Sequence, residues 1–231
     1  MPERHFVKYT FLRVDPAWRR LDAAERGRDK QEFAAACADF AEGHLLRAFS
    51  LIGTRGDADL MLLSQAQNLE RIHEFHVVLG QSGLMKWCSI PHSYLAMTKE
   101  SEYSDESRLE VRPAHAKYLF VYPFVKTREW YGLAADERYR IMQEHIRSGR
   151  EFPSVDLNTS YSFGLDDQEF VVAFETDEPG DFLDLVQKLR GTESSRYTKR
   201  DTPTFTCVSC SVERALGALD GEAVAIPEAL A

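Results

Sequence analysis

YPFVKTREWYGLAADERYRIMQEHIRSGREFPSVDLNTSYSFGLDD, residues Tyr122–Asp167, holds the end of a strand, a charged helix, a second strand and a tight turn. The strand is Lys117–Lys126 (KYLFVYPFVK), a β-branched and aromatic run. In the helix predicted over Asp136–Arg150, Ile141, Met142, His145, Ile146 and Gly149 fall on one stripe. Glu137, Arg138, Arg140, Glu144, Arg147 and Arg150 occupy the other face. His145 therefore points inward. Gly149, one turn later, leaves room for something flat. Val155–Phe163 then reads as a strand, and the acids of GLDD as turn chemistry rather than catalysis.

Working outward, Glu169–Glu175 is a strand, Pro179–Arg190 a helix opened by acidic residues, and Phe205–Ser211 a closing strand. The first half repeats the order. His5–Val14 is a strand, Pro16–Glu42 a helical region, and His44–Ile52 and Leu60–Gln65 are strands split by GTRGDAD. Asn68 caps a helix over Leu69–Leu79 that stops at Gly80, and Lys86–Met97 returns as a strand. The chain is thus expected to be α+β, with two ferredoxin-like βαββαβ halves over 1–98 and 116–213. Thr98–Arg112 is polar and nearly free of aliphatics, so 99–115 reads as a linker able to cover a site. After Glu213 there is little core-forming pattern, and 214–231 is expected to be a weakly packed tail.

A chain of 231 residues buries enough surface to need no staples. Its net charge of −9 argues against a nucleic-acid partner, while leaving room for a locally positive pocket. No apolar run approaches the roughly 18–20 residues that span a bilayer, and MPERHFVKYTFLRV lacks the order of a secretory signal. A cytoplasmic protein without membrane partners is expected. Four scattered cysteines form no disulfide framework. Cys207 and Cys210 sit on a strand with opposite-facing side chains, a poor metal site. His73 and His76 lack HExxH spacing and read as a helix face.

A histidine on an apolar stripe is ordinarily a core residue. Here it has company. Tyr122 and Lys126 are expected on one side of their strand, Trp130 and Tyr131 follow at once, and a neutral imidazole can ligate a haem iron. Its other ring nitrogen would be held by a carboxylate or carbonyl.

These residues resemble the chlorite dismutase superfamily, and within it the coproheme decarboxylases. The resemblance rests on Y-P-x-x-K (Tyr122, Pro123, Lys126), W-Y (Trp130, Tyr131) and L-x-x-x-E-R (Leu133, Glu137, Arg138). It continues in H-x-x-x-x-R (His145, Arg150), Gly164 to Asp167, and the stretch FETDEPGDFLDLVQKLRGTESSRYTKRDTPTF. It covers about Ala116 to Cys207 closely and the first half only in architecture. It implies a dimeric α+β barrel, haem held in the C-terminal half, and a homopentamer. His145 would be the proximal iron ligand, and Tyr122 the tyrosine oxidised beside a propionate. Lys126, Arg108, Ser195 and Arg190 would hold the propionates. The implied activity is conversion of iron coproporphyrin III, at once substrate and redox centre, to haem b with hydrogen peroxide as oxidant.

Chlorite dismutases carry a distal arginine on the strand before Gly164. Counting back from Gly164 reaches Leu157, and counting forward from His145 reaches Asn158. Neither is arginine, which disfavours the chlorite reaction, and neither is the glutamine of one decarboxylase clade, which leaves the distal proton donor unassigned. His115 is a conceivable substitute base. Chlorite dismutation, a peroxidase-like activity on bound haem b, and a non-enzymatic haem-binding protein are the rival readings.

Overall fold

The computed structural model describes residues 4–103, 111 and 115–222. The first half runs β1 (Phe6–Val14), α1 (Ala23–Ala41), β2 (Leu45–Ser50), β3 (Leu60–Ala66), α2 (Leu69–Leu79) and β4 (Cys88–Met97). The second runs β5 (Tyr118–Lys126), α3 (Arg128–Gly132), α4 (Ala135–Gly149), β6 (Asp156–Tyr161), β7 (Phe170–Thr176), α5 (Pro179–Arg190), β8 (Thr198–Arg200) and β9 (Phe205–Cys210). A last helix, α6 (Val212–Leu219), follows. The helical region expected from Pro16 divides into a 3-10 turn, Pro16–Arg20, and α1. Asp22 caps α1 in a reciprocal box with Glu25. Asn68 caps α2 as expected, accepting from the Arg71 backbone at 3.0 Å.

The strands run β7-β6-β4-β1-β3-β2-β9-β5, and β5 pairs back onto β7. The ring is closed, every pairing in it is antiparallel, and only the short β8 hangs outside on β5. Each half contributes four neighbouring strands, β4-β1-β3-β2 and β9-β5-β7-β6, the ferredoxin-like order. The two seams differ: β2 joins β9 from Ala48↔Cys210 to Ser50↔Val208, whereas β4 meets β6 only at Met97↔Tyr161. Closure removes the exposed edges that invite aggregation.

Strand alternation then divides the side chains. Val7, Tyr9, Phe11, Met61, Leu63, Leu119, Val121, Val171, Ala173 and Phe205 fill the barrel. On the outside of the first half, Leu12, Trp18, Phe33, Phe40, Leu62, Ile72 and Phe75 make a thick layer under α1 and α2. The matching layer of the second half is thin: Phe120, Phe174, Phe182 and Leu185 are buried, with Tyr122, Val172 and Leu189 only partly so. The cause lies in the helices. α1 buries Phe33, Ala36, Cys37 and Phe40, while the heavily charged α4 buries Ile141 alone and packs mainly on α5 and a 3-10 turn, Glu193–Tyr197.

The tail expectation needs correcting over 214–222, while 223–231 lie outside the described residues. Ser211 caps α6, and Ala215, Leu216 and Leu219 are buried in the first half's outer layer. Cys207 and Cys210 do face opposite sides of β9. His76 is satisfied by Thr10 Oγ1 at 2.9 Å and Ile72 O at 2.8 Å. Gly164 takes φ +72° in the β6–β7 turn, and Asp166 of that turn accepts from the Leu95 backbone at 2.7 Å.

Candidate functional site

His145 lies on the side of α4 that turns toward α5 and the 3-10 turn, half-buried. Burial, and then the charge of Lys126, push its pKa down to about 4, so the imidazole is neutral at physiological pH. Its Nδ1 lies 3.5 Å from Thr192 Oγ1. The expected carboxylate or carbonyl partner is replaced by a hydroxyl. Nε2 has no partner among the described residues. A Cβ on Gly149 would meet nothing within 4 Å, so space is open there as expected.

Lys126 is buried, 8% exposed, and neither solvent nor an anion receives it. Its Nζ donates to Ser194 O at 3.0 Å and Ser194 Oγ at 2.9 Å, and lies 4.6 Å from the Trp130 ring centre. Desolvation lowers its pKa to about 8. The β5–β8 register shift carries its extra residue, Lys199, on β8, and Lys126 Nζ lies 5.3 Å from the ring centre of Phe124, two residues after Tyr122 on the regular part of β5. Lys126 also bears on His145. Ser194, Thr192 and Trp130 are thus parts of the site that sequence reasoning missed or left as packing. Adjacent serines and threonines look alike in sequence, and only the 3-10 turn decides which one faces in.

Tyr122 stacks on Phe174 with ring centres 6.0 Å apart, and its hydroxyl makes no hydrogen bond among the described residues. Burial, then the Asp201 carboxylate, raise its pKa, while Arg190 opposes them. The phenol therefore stays protonated. Arg190, at the end of α5, forms an ion pair with Asp201, so its charge is partly committed. Ser195 is half-buried with its backbone bonded to Thr192 O at 3.1 Å. Its hydroxyl makes no hydrogen bond among the described residues.

Register separates the two distal candidates. Leu157 lies opposite Phe174, on the thin outer layer, and is 47% exposed. Asn158 lies opposite Ala173, which faces the barrel, and is buried. The two cannot line one pocket; only Leu157 shares a face with Tyr122. Thr159, unnoticed in the sequence, shares that face and falls in one row with Val172 and Tyr122. Arg108 lies outside the described residues. His115 is exposed, with φ +57°.

The donor set fits an iron porphyrin. A neutral imidazole with an unengaged Nε2, beside a thinly packed apolar layer, would hold the iron of such a group. No group of three or more His, Cys, Asp or Glu able to hold a bare metal ion occurs among the described residues.

The fold these features define is a dimeric α+β barrel carrying its candidate site outside the second half. The chain belongs to the chlorite dismutase family, whose family model, described as Chlorite dismutase, matches residues 26–210. It is 31% identical over 210 residues to the coproheme decarboxylase of Mycolicibacterium smegmatis, covering 84% of this chain and 88% of that protein. Among solved structures, a haem-binding protein from Thermus thermophilus superposes with a TM-score of 0.83 at 26% identity, over 94% of this chain and 95% of the other. A chlorite dismutase from Candidatus Nitrospira defluvii in complex with imidazole gives 0.86 at 23% identity, with the same coverage, and shows likeness of fold.

Proposed function

We propose that this chain is a coproheme decarboxylase that uses hydrogen peroxide to convert iron coproporphyrin III to haem b. The observation that carries the reading is the neutral, half-buried His145 beside a thin layer whose phenol, Tyr122, is held protonated. Kinship with a protein named coproheme decarboxylase supports the choice within the family. The resemblance in sequence motifs to the wider family supports a homopentamer, and a cytoplasmic location is proposed with it. Among the described residues no helix is long and apolar enough to cross a membrane.

The bound iron porphyrin supplies redox chemistry with peroxide. The chain's own residues do the rest. His145 offers Nε2 to the iron and stays unprotonated because burial, and then the charge of Lys126, disfavours a positive charge there. Tyr122 presents an O–H free to give up a hydrogen atom and then recover one from a propionate. Arg190, Ser195 and, by resemblance, Arg108 orient the carboxylates. Lys126, already bonded to Ser194, acts from the His145 side. Each of the two propionates removed, with one peroxide and one proton, yields a vinyl group, CO₂ and two waters. Leu157 puts an aliphatic group on the face shared with Tyr122, which fits a reaction other than chlorite dismutation.

The test loads anaerobically purified protein with iron coproporphyrin III, adds peroxide and follows the pigment by mass spectrometry. Stepwise loss of two carboxyls is expected. Tyr122→Phe should retain the pigment while losing at least about 100-fold in turnover, the scale of a removed proton-transfer group. An unchanged pigment with the unaltered protein, or oxygen release from chlorite as the main reaction, overturns the proposal.

A further inference from the structure

Thr192 is 6% exposed and sits where α5 ends, between Gly191 and the 3-10 turn. Its hydroxyl proton is already spent: Thr192 Oγ1 donates to Leu189 O at 2.8 Å. What remains toward His145 is a lone pair, at 3.5 Å from Nδ1. A lone pair can be met only by an N–H, so the ring is placed with its proton on Nδ1 and its free lone pair on Nε2. No carboxylate lies within ion-pair distance of His145 among the described residues, and the only charge felt strongly by the ring is the ammonium of Lys126, itself tied to Ser194.

We infer that Thr192 is a positioning residue. Through the chain His145 Nδ1–H to Thr192 Oγ1 to Leu189 O, it fixes the tautomer and orientation in which His145 Nε2 binds iron. A neutral hydroxyl, unlike a carboxylate, polarises the Nδ1–H bond weakly and leaves the ligand an imidazole rather than an imidazolate. The 3.5 Å separation is long for a hydrogen bond and is expected to tighten when the ring is pulled into place by iron. This inference rests on the proposed iron-porphyrin site.

The test is resonance Raman spectroscopy of the reduced protein loaded with haem b, reading the iron–imidazole stretch. The unaltered protein should show a band that His145→Ala abolishes. Thr192→Val, of the same shape without the acceptor, should move the band to lower frequency and weaken haem affinity about 10-fold. Thr192→Ser, which restores the hydroxyl, should return the band. A His145-dependent band left in place by Thr192→Val overturns the role of Thr192 and leaves the site standing. Absence of any His145-dependent band from the unaltered protein sinks both.

Discussion

Lys126 illustrates how single residues are set by their surroundings. Its ammonium has exchanged water for Ser194 and the faces of Trp130 and Phe124. Its folded pKa of about 8 lies below the ordinary value of 10.5. Between those values the unfolded chain binds a proton that the folded chain does not, so stability rises with pH across that window. Below about pH 8 both states are protonated and this contribution is flat. Lys126→Met should therefore flatten the rise, worth up to about 3 kcal/mol, in denaturant titrations of the porphyrin-free protein between about pH 7.5 and 10.5. An identical pH slope in the variant would contradict a dry lysine. His145 was legible from its stripe on α4. The roles of its neighbours were not: a serine pair gives no sign of which hydroxyl meets Lys126, and Arg190 gives no sign of Asp201.

At the scale of elements, two helices with the same place in the pattern behave differently. α1 carries Phe33 and Phe40 into a thick layer, whereas α4 offers only Ile141 fully and keeps Met142, His145 and Ile146 half-buried. Charge does not separate the two helices; what differs is the apolar stripe, which carries Phe33 and Phe40 on α1 but Ile141, Met142, His145 and Ile146 on α4. α6 was not readable. Eight residues, VERALGAL, are too few to display helical periodicity against a background of alanine, and the helix exists because it can cover the first half's outer layer. Leu216 is 2% exposed there. Leu216→Ala should cost about 2–5 kcal/mol in equilibrium unfolding. A loss under about 0.5 kcal/mol, the range of surface substitutions, would return this segment to the status of a tail.

At the scale of the whole molecule, the halves are joined across the barrel as well as along it. Arg47 of β2 and Glu175 of β7 form an ion pair at 2.7 Å in the interior, with Glu175 1% exposed. Glu175 Oε2 has no hydrogen-bond partner among the described residues. Glu175→Ala would leave the guanidinium uncompensated and should cost about 3–5 kcal/mol. Replacing both, Arg47→Met with Glu175→Leu, should recover most of that loss. A double variant as unstable as the single one would show that the pair is not the source.

The sequence alone determined the order of elements within the two βαββαβ halves, the placement of His145 on an inward stripe and the strand that carries Tyr122, because helical and strand periodicities are local and act within a few residues. It also carried the family resemblance. The tertiary structure decided that β5 closes onto β7, that Leu157 rather than Asn158 shares the face of Tyr122, and that Thr192 and Ser194 meet His145 and Lys126. Those contacts join residues tens of positions apart, and their geometry follows from how sheets close and helices seat, which no local pattern encodes.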